Sequence, residues 1–220
     1  MTTLRQFQMT DLFKFNNINL DVLTETYNMP FYLSYLSRWP EAFTVAQAPT
    51  STSASDLDLS PNSVLVSGYS DSDSHTKSHH CSLMGYMLGK SEGIGKGWHG
   101  HVSAVTVSPT YRRIGLAKTL MDDLEYLSTD VYNAYFVDLF VRASNILAIN
   151  MYEKFGYVKY RRVLDYYAGG GSDGSNTNTS EGVGEDSEDA FDMRKALARD
   201  VKKESVIPLK HPVRTEDLEW

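Results

Sequence analysis

The chain has 220 residues, 41% of them hydrophobic, and a formal net charge of -7; this supports one domain with a real core, leaves too little for two large ones, and argues against a nucleic-acid partner. One cysteine, Cys81, excludes an intrachain disulfide and suits a reducing cytosol. No apolar run approaches the roughly 18 residues a membrane helix needs, and Met1 to Gln8 lack the basic-then-apolar build of a signal peptide, so the expected location is cytoplasmic with no membrane contact.

In chain order, Thr2 to Phe7 is predicted as a first strand, and Thr10 as the N-cap of a helix from Asp11 to about Leu20. A second short helix spans Phe31 to Arg38 and is stopped by Pro40. Phe43 to Ala46 and Leu83 to Gly89 are predicted strands. Between them, residues 48–82 are rich in Ser, Thr, Asp and Pro. Such a segment buries too little apolar area to offset its ordering entropy and is expected to be a mobile insertion. His101 to Val107 forms the next strand and ends at Ser108-Pro109, after which Ile114, Ala117, Leu120, Leu124 and Leu127 recur at helical spacing. Tyr135 to Val141 is nearly continuous apolar, as in a strand covered on both faces. Asn145 to Phe155 is helical, with Gly156 placed to cap its end, and Tyr157 to Tyr167 is a strand. Residues 168–189 open with Gly169-Gly170-Gly171, turn acidic, and are expected to be a second mobile loop. Residues 190–220 supply a closing strand near Phe191 to Leu197 and a C-terminal tail. The sequence therefore predicts an α/β domain over residues 1–167 followed by these two segments.

The most informative stretch is Val105-Thr106-Val107-Ser108-Pro109-Thr110-Tyr111-Arg112-Arg113-Ile114-Gly115-Leu116-Ala117. A buried strand ends and an Arg-x-x-Gly-x-Ala turn opens an amphipathic helix. The first turn of a helix carries unpaired N–H groups and a partial positive charge, and a pyrophosphate can accept from them. Gly115 and Ala117 are small enough to let phosphate oxygens reach the backbone, while Arg112 and Arg113 add positive charge. No Gly-Lys-Ser/Thr follows, so this is not a P-loop, and the Gly-x-Gly-x-x-Gly of a dinucleotide fold is missing.

Arg112-x-x-Gly115-x-Ala117 resembles the acetyl-CoA pyrophosphate motif of GNAT acetyltransferases. The likeness extends through Phe15-Asn16-Asn17-Ile18-Asn19-Leu20-Asp21, Leu23-Thr24-Glu25-Thr26-Tyr27, Trp98-His99-Gly100-His101-Val102, Val137-Asp138-Leu139-Phe140-Val141-Arg142 and Asp192-Met193-Arg194-Lys195-Ala196-Leu197. These segments resemble the catalytic subunits of NatB-type N-terminal acetyltransferases. The resemblance implies a GNAT fold, with a mixed central sheet of about six to seven strands flanked by about four helices. It implies acetyl-CoA as cosubstrate, held by Val105 and Val107 of a splayed strand, by Arg112, Arg113, Gly115, Leu116 and Ala117, and by Asn145 and Asn150. It implies Tyr152 as general acid for the leaving thiolate and His101 as a proton relay. The acceptor side would use Glu25, Tyr27, His101, Tyr166 and Tyr167.

No carboxylate stands out as a dedicated base. An α-amine with a pKa of about 7.7–8.0 is neutral in roughly one molecule in ten at pH 7, against about one in 2,500 for a lysine near 10.4, so an enzyme for chain termini can work with weak proton acceptance. The resemblance further implies substrates beginning Met followed by Asp, Glu, Asn or Gln, a large helical-repeat auxiliary subunit, and contact with nascent chains at the ribosome through that complex. Leu12, Phe13, Phe15, Phe31, Tyr32, Tyr35, Leu36 and Trp39 make the first two helices apolar enough to dock a partner, or simply to cover the sheet. Acetylation of a lysine or small amine, and cofactor binding without catalysis, are the competing readings. No metal is expected: His75, His79, His80 and Cys81 are close in sequence but lie in the first insertion, without evident supporting partners.

Overall fold

The computed structural model describes residues 2–20, 24–49, 82–167 and 187–218. The bulk of both predicted mobile segments, and with it the His75–Cys81 cluster, lies outside the described residues. The strands are β1 (Thr3–Gln6), β2 (Phe43–Gln47), β3 (Leu83–Glu92), β4 (His99–Val107), β5 (Phe136–Arg142), β6 (Val158–Tyr167), β7 (Glu188–Ala196) and β8 (Val213–Arg214). The helices are α1 (Asn16–Asn19), α2 (Met29–Arg38), α3 (Leu116–Tyr126) and α4 (Ile146–Lys154). All eight strands join one mixed sheet in the order β1-β2-β3-β4-β5-β7-β6-β8. Only β4–β5 and β6–β8 pair in parallel. None of the helices described is long and apolar enough to cross a membrane.

Each face of the sheet has its own core. On one face Leu116, Leu120, Met121 and Leu124 of α3, with Ile149 and Tyr152 of α4, pack on Val102, Val137, Leu139 and Val141. The helical spacing of these apolar residues produces that stripe. On the other, Leu12, Phe15, Ile18, Tyr32 and Tyr35 cover Phe43, Val45, Tyr86 and Leu88. Side chains alternate along β5, so Phe136, Asp138 and Phe140 project away from the α3–α4 layer.

Four expectations need correction. The helix predicted from Asp11 to Leu20 is a 3-10 segment, Met9–Phe13, followed by the single turn α1. Thr10 is not its cap: Gln8 is, because the Asp11 carboxylate accepts from the Gln8 N–H and from Arg5. Leu12, Phe15 and Ile18 are the buried apolar residues of this stretch, and Asp11 is buried with them. Ile114 lies ahead of α3 and is exposed, so that helical face begins at Leu116. The acidic segment ends earlier than 189: Glu188 and Asp189 already belong to β7, held by Arg142, Ser144 and Arg162. The tail beyond the closing strand contributes β8 along β6, and Leu218 packs with Val163 and Ala190. That strand brings the count among the described residues to eight.

Candidate active site

β4 and β5 pair only from His99↔Phe136 to Val102↔Leu139. Beyond Val102, β4 continues paired to β3 alone, up to Val107. The edge of Ser103 to Val107 that faces β5 is therefore left without a strand partner, and a cleft opens through the sheet. A register shift opposite Leu88/Gly89 leaves Ser103 as an extra residue in β4. Bulges of this kind bend a strand and re-aim its groups.

On one side the cleft meets the start of α3. Gly115 is the N-cap, in the left-handed region at φ 86°, with no side-chain cap on the helix. A Cβ placed there would meet nothing within 4 Å, so the space over the first helical N–H groups is open. Leu116 is buried in the core, and only its amide is available to a ligand. Ala117 packs partly against that core. Arg112 Nε donates to the Val107 carbonyl at 3.0 Å, bracing the end of β4 and occupying one of the main-chain groups expected to serve the cofactor. Arg113 is exposed, with φ 69°. An unpaired strand edge leading to an open helix N-terminus is a main-chain site for a diphosphate and an adjoining carbonyl.

Tyr152 lies on the same face as α3. It is buried, burial alone pushes its phenol well above the usual tyrosine range, and its hydroxyl has no hydrogen bond among the described residues. It is therefore a protonated donor at neutral pH. Asn145 caps α4, accepting from the Ala148 N–H at 3.1 Å. Asn150 is exposed.

The acceptor candidates meet on the opposite face. Tyr27 donates to the Ser103 carbonyl at 3.0 Å and stacks on Phe31. Glu25 pairs with Arg142 at 2.8 Å. Arg142 also reaches Glu188 and sits 4.0 Å over the Tyr167 ring. Tyr167 donates to the Phe140 carbonyl, and Tyr166 stacks on the Phe140 ring. Burial raises the phenols of Tyr27 and Tyr167, and lifts Tyr166 to about 12. Of the three, only Tyr166 has no hydroxyl hydrogen bond among the described residues. The structure thus gathers Glu25, Tyr27, Tyr166 and Tyr167 with Arg142 into one cluster.

His101 is buried beside them, its Nδ1 2.8 Å from Asp138 Oδ1. Burial opposes ionisation of Asp138, but His101 and His99 hold its carboxyl below the usual range. An ionised carboxylate accepts only, so Nδ1 carries a proton, and in the neutral tautomer this leaves Nε2 as the acceptor. His99 is drawn up despite its burial, by Asp138 and then by Glu92 and the Gly97 carbonyl. The sequence reading missed Asp138, His99, Glu92, Ser103 and Arg142. The one acid inside the apolar run Phe136 to Val141, and two histidines at strand spacing, were the available signals.

Residues 24–157 match the family model described as Acetyltransferase (GNAT) family. The chain is 51% identical to N-alpha-acetyltransferase 20 of Dictyostelium discoideum, over 100% of this chain and 99% of that protein. It is 49% identical to the N-terminal acetyltransferase B complex catalytic subunit NAA20 of Arabidopsis thaliana, with the same coverage. A crystal structure of Chaetomium thermophilum Naa20 in complex with a bisubstrate analogue superposes with a TM-score of 0.72 at 36% identity, covering 97% of each chain. The chain belongs to the GNAT acetyltransferase family, among its NatB-type N-terminal acetyltransferases.

Proposed function

We propose that this chain is the catalytic subunit of a NatB-type complex and acetylates the α-amine of proteins beginning Met-Asp, Met-Glu, Met-Asn or Met-Gln. The observation that carries the reading is the β4–β5 cleft, with an uncapped helix start on one face and an aromatic, charged cluster on the other. Acetyl-CoA supplies the acyl group as an activated thioester. The open space over Gly115 fits its diphosphate, held by the amides of Leu116 and Ala117 with Arg113 nearby. The free edge of β4 around Val105 polarises the acyl carbonyl, a kind of contact worth about 100- to 1,000-fold per donor.

As the amine nitrogen bonds to the acyl carbon, the carbon–sulfur bond breaks and two proton transfers complete the exchange. His101 Nε2, oriented by Asp138, takes the amine proton directly or through water. Tyr152 gives a proton to the departing thiolate, a role worth roughly 100- to 10,000-fold. Asn145 supports this indirectly by capping the helix that carries Tyr152. Glu25 and Tyr27 hold the peptide end. Tyr166 is the hydroxyl left to donate to the side-chain carbonyl shared by Asp, Glu, Asn and Gln, while Tyr167 closes over the chain.

The exposed Met9, Phe13, Leu20, Met29 and Leu33 surround the first two helices and form the docking surface for an auxiliary subunit, through which the enzyme works on nascent chains at the ribosome in the cytoplasm. Rates on matched Met-Asp, Met-Leu and Ser-Glu peptides, with and without that subunit, test the assignment. Met-Asp should be strongly preferred in the complex; equal rates on all three would overturn the specificity.

A further inference from the structure

His99 and His101 are two residues apart on β4, so strand geometry sets both rings on the same face. Glu92 enters from the end of β3 and Asp138 from β5. Ligand atoms of Glu92, His99 and His101 all lie within 4.8 Å of one another. His99 Nε2 is 3.7 Å from Glu92 Oε1 and 3.5 Å from Asp138 Oδ1. His101 Nδ1 is 3.9 Å and 2.8 Å from the same two oxygens. Donors about 2.0–2.1 Å from a tetrahedral ion stand roughly 3.3–3.5 Å apart; the two His99 separations fall at or near that value, and those of His101 lie to either side of it.

Three details make this more than a chance cluster. Glu92 Oε2 is bound by Lys90, but Oε1 is buried without a hydrogen-bond partner, an orphan acceptor of the kind folded proteins avoid. His99 Nδ1 lies 2.7 Å from the Gly97 carbonyl and its ring stacks on Phe136. A carbonyl accepts only, so Nδ1 carries a proton, and Nε2 is the nitrogen turned toward the two carboxylates, a position that either a proton or a metal ion can fill. A backbone carbonyl on the far nitrogen is the usual support of a metal-bound histidine. Finally, His99 and Asp138 line a groove of about 700 Å³ that opens to solvent, giving an ion a way in.

We propose that Glu92, His99 and His101, with Asp138 beside the two histidines, form a site for a borderline transition-metal ion such as Zn²⁺, and that its occupancy inhibits the enzyme. The ion takes the place of the proton on His101 Nδ1, separates the ring from Asp138 and withdraws electron density from it, which makes Nε2 a weaker acceptor for the amine proton. The inhibitory half rests on the acetyltransferase reading above; the binding half does not.

Co²⁺ serves as the probe, because a tetrahedral nitrogen–oxygen site gives it intense visible bands. Added to the metal-free complex of this chain with its auxiliary subunit, it should bind at one equivalent and be displaced by Zn²⁺. Glu92→Gln and His99→Gln should each weaken binding by about 10-fold or more, while replacing His75, His79, His80 and Cys81 by Ser should leave it intact. Zn²⁺ should inhibit Met-Asp peptide acetylation reversibly on adding chelator, and less in His99→Gln. Absence of stoichiometric binding overturns the proposal, as do bands that survive Glu92→Gln or vanish only with the Ser replacements. Should His99→Gln fail to fold by circular dichroism, Glu92→Gln decides. If no form acetylates any peptide, the proposed function fails while the Co²⁺ spectrum still reports on the site.

Discussion

The two sides of the β4–β5 cleft are built from different materials. Toward α3 the available groups are main chain: the free edge of β4, Gly115 with its positive φ, and the amides that follow. Toward α2 and β6 they are side chains: Glu25 and Arg142 in an ion pair, three tyrosines, and the His101–Asp138 pair. Main-chain groups cannot be deleted by substitution, so the first side resists alanine scanning and tolerates sequence change wherever the backbone path survives. The second is adjustable residue by residue, which suits the side that must tell one chain terminus from another.

Tyr152 lies on the α3 side, and the largest effect is expected there. Tyr152→Phe should lower kcat about 100-fold or more with coenzyme A affinity unchanged by calorimetry; turnover within a few-fold of the parent would remove it from the chemistry. Next comes the main-chain side. Gly115→Val puts a side chain into the open space over the helix start and forces a β-branched residue into left-handed φ, a backbone cost of about 1–2 kcal/mol. The expected result is a rise of roughly 10-fold or more in KM for acetyl-CoA with little change for peptide. A comparable rise for both substrates would blur the division.

On the acceptor side, Arg142→Ala frees Glu25 and uncovers Tyr167. The lost pairs are half-exposed and worth about 0.2–1 kcal/mol each, with a cation–π contact of about 0.5–1 kcal/mol. Together they predict up to about a 10-fold loss in kcat/KM for peptide, at unchanged KM for acetyl-CoA. The smallest effect on catalysis belongs to Asp11→Asn, at the far edge of the sheet, as a control for both sides. Burial works against the Asp11 charge, but Arg5 and the Gln8 N–H outweigh it and hold its carboxyl below the usual range. A depressed pKa stabilises the fold above the unfolded value near 4 and loses that contribution as pH falls through the folded value. Denaturant titrations should find the variant less stable by about 1–2 kcal/mol at pH 7, and the gap should shrink below pH ~4. Kinetic constants should not move.

The sequence by itself determined the pieces whose causes are local. Helical spacing in Leu116 to Leu124, the apolar run of β5, Gly156 past the end of α4 and the Gly115 turn each follow from a few neighbouring residues, and the nucleotide side of the cleft is built almost wholly from them. Only the tertiary structure decided the rest. The acceptor pocket joins residues from 25 to 188, and no short-range pattern says that β7 lies between β5 and β6 or that β4 parts from β5 after Val102. The 3-10 turn at Met9–Phe13 was hidden because Arg5 and the Gln8 backbone, not helix propensity, claim Asp11. The two-residue β8 is too short to carry a period. The Glu92–His99–His101 cluster, with Asp138 beside it, is created by strand pairing alone: alternation put the two histidines on one face, and the sheet brought the two carboxylates to meet them.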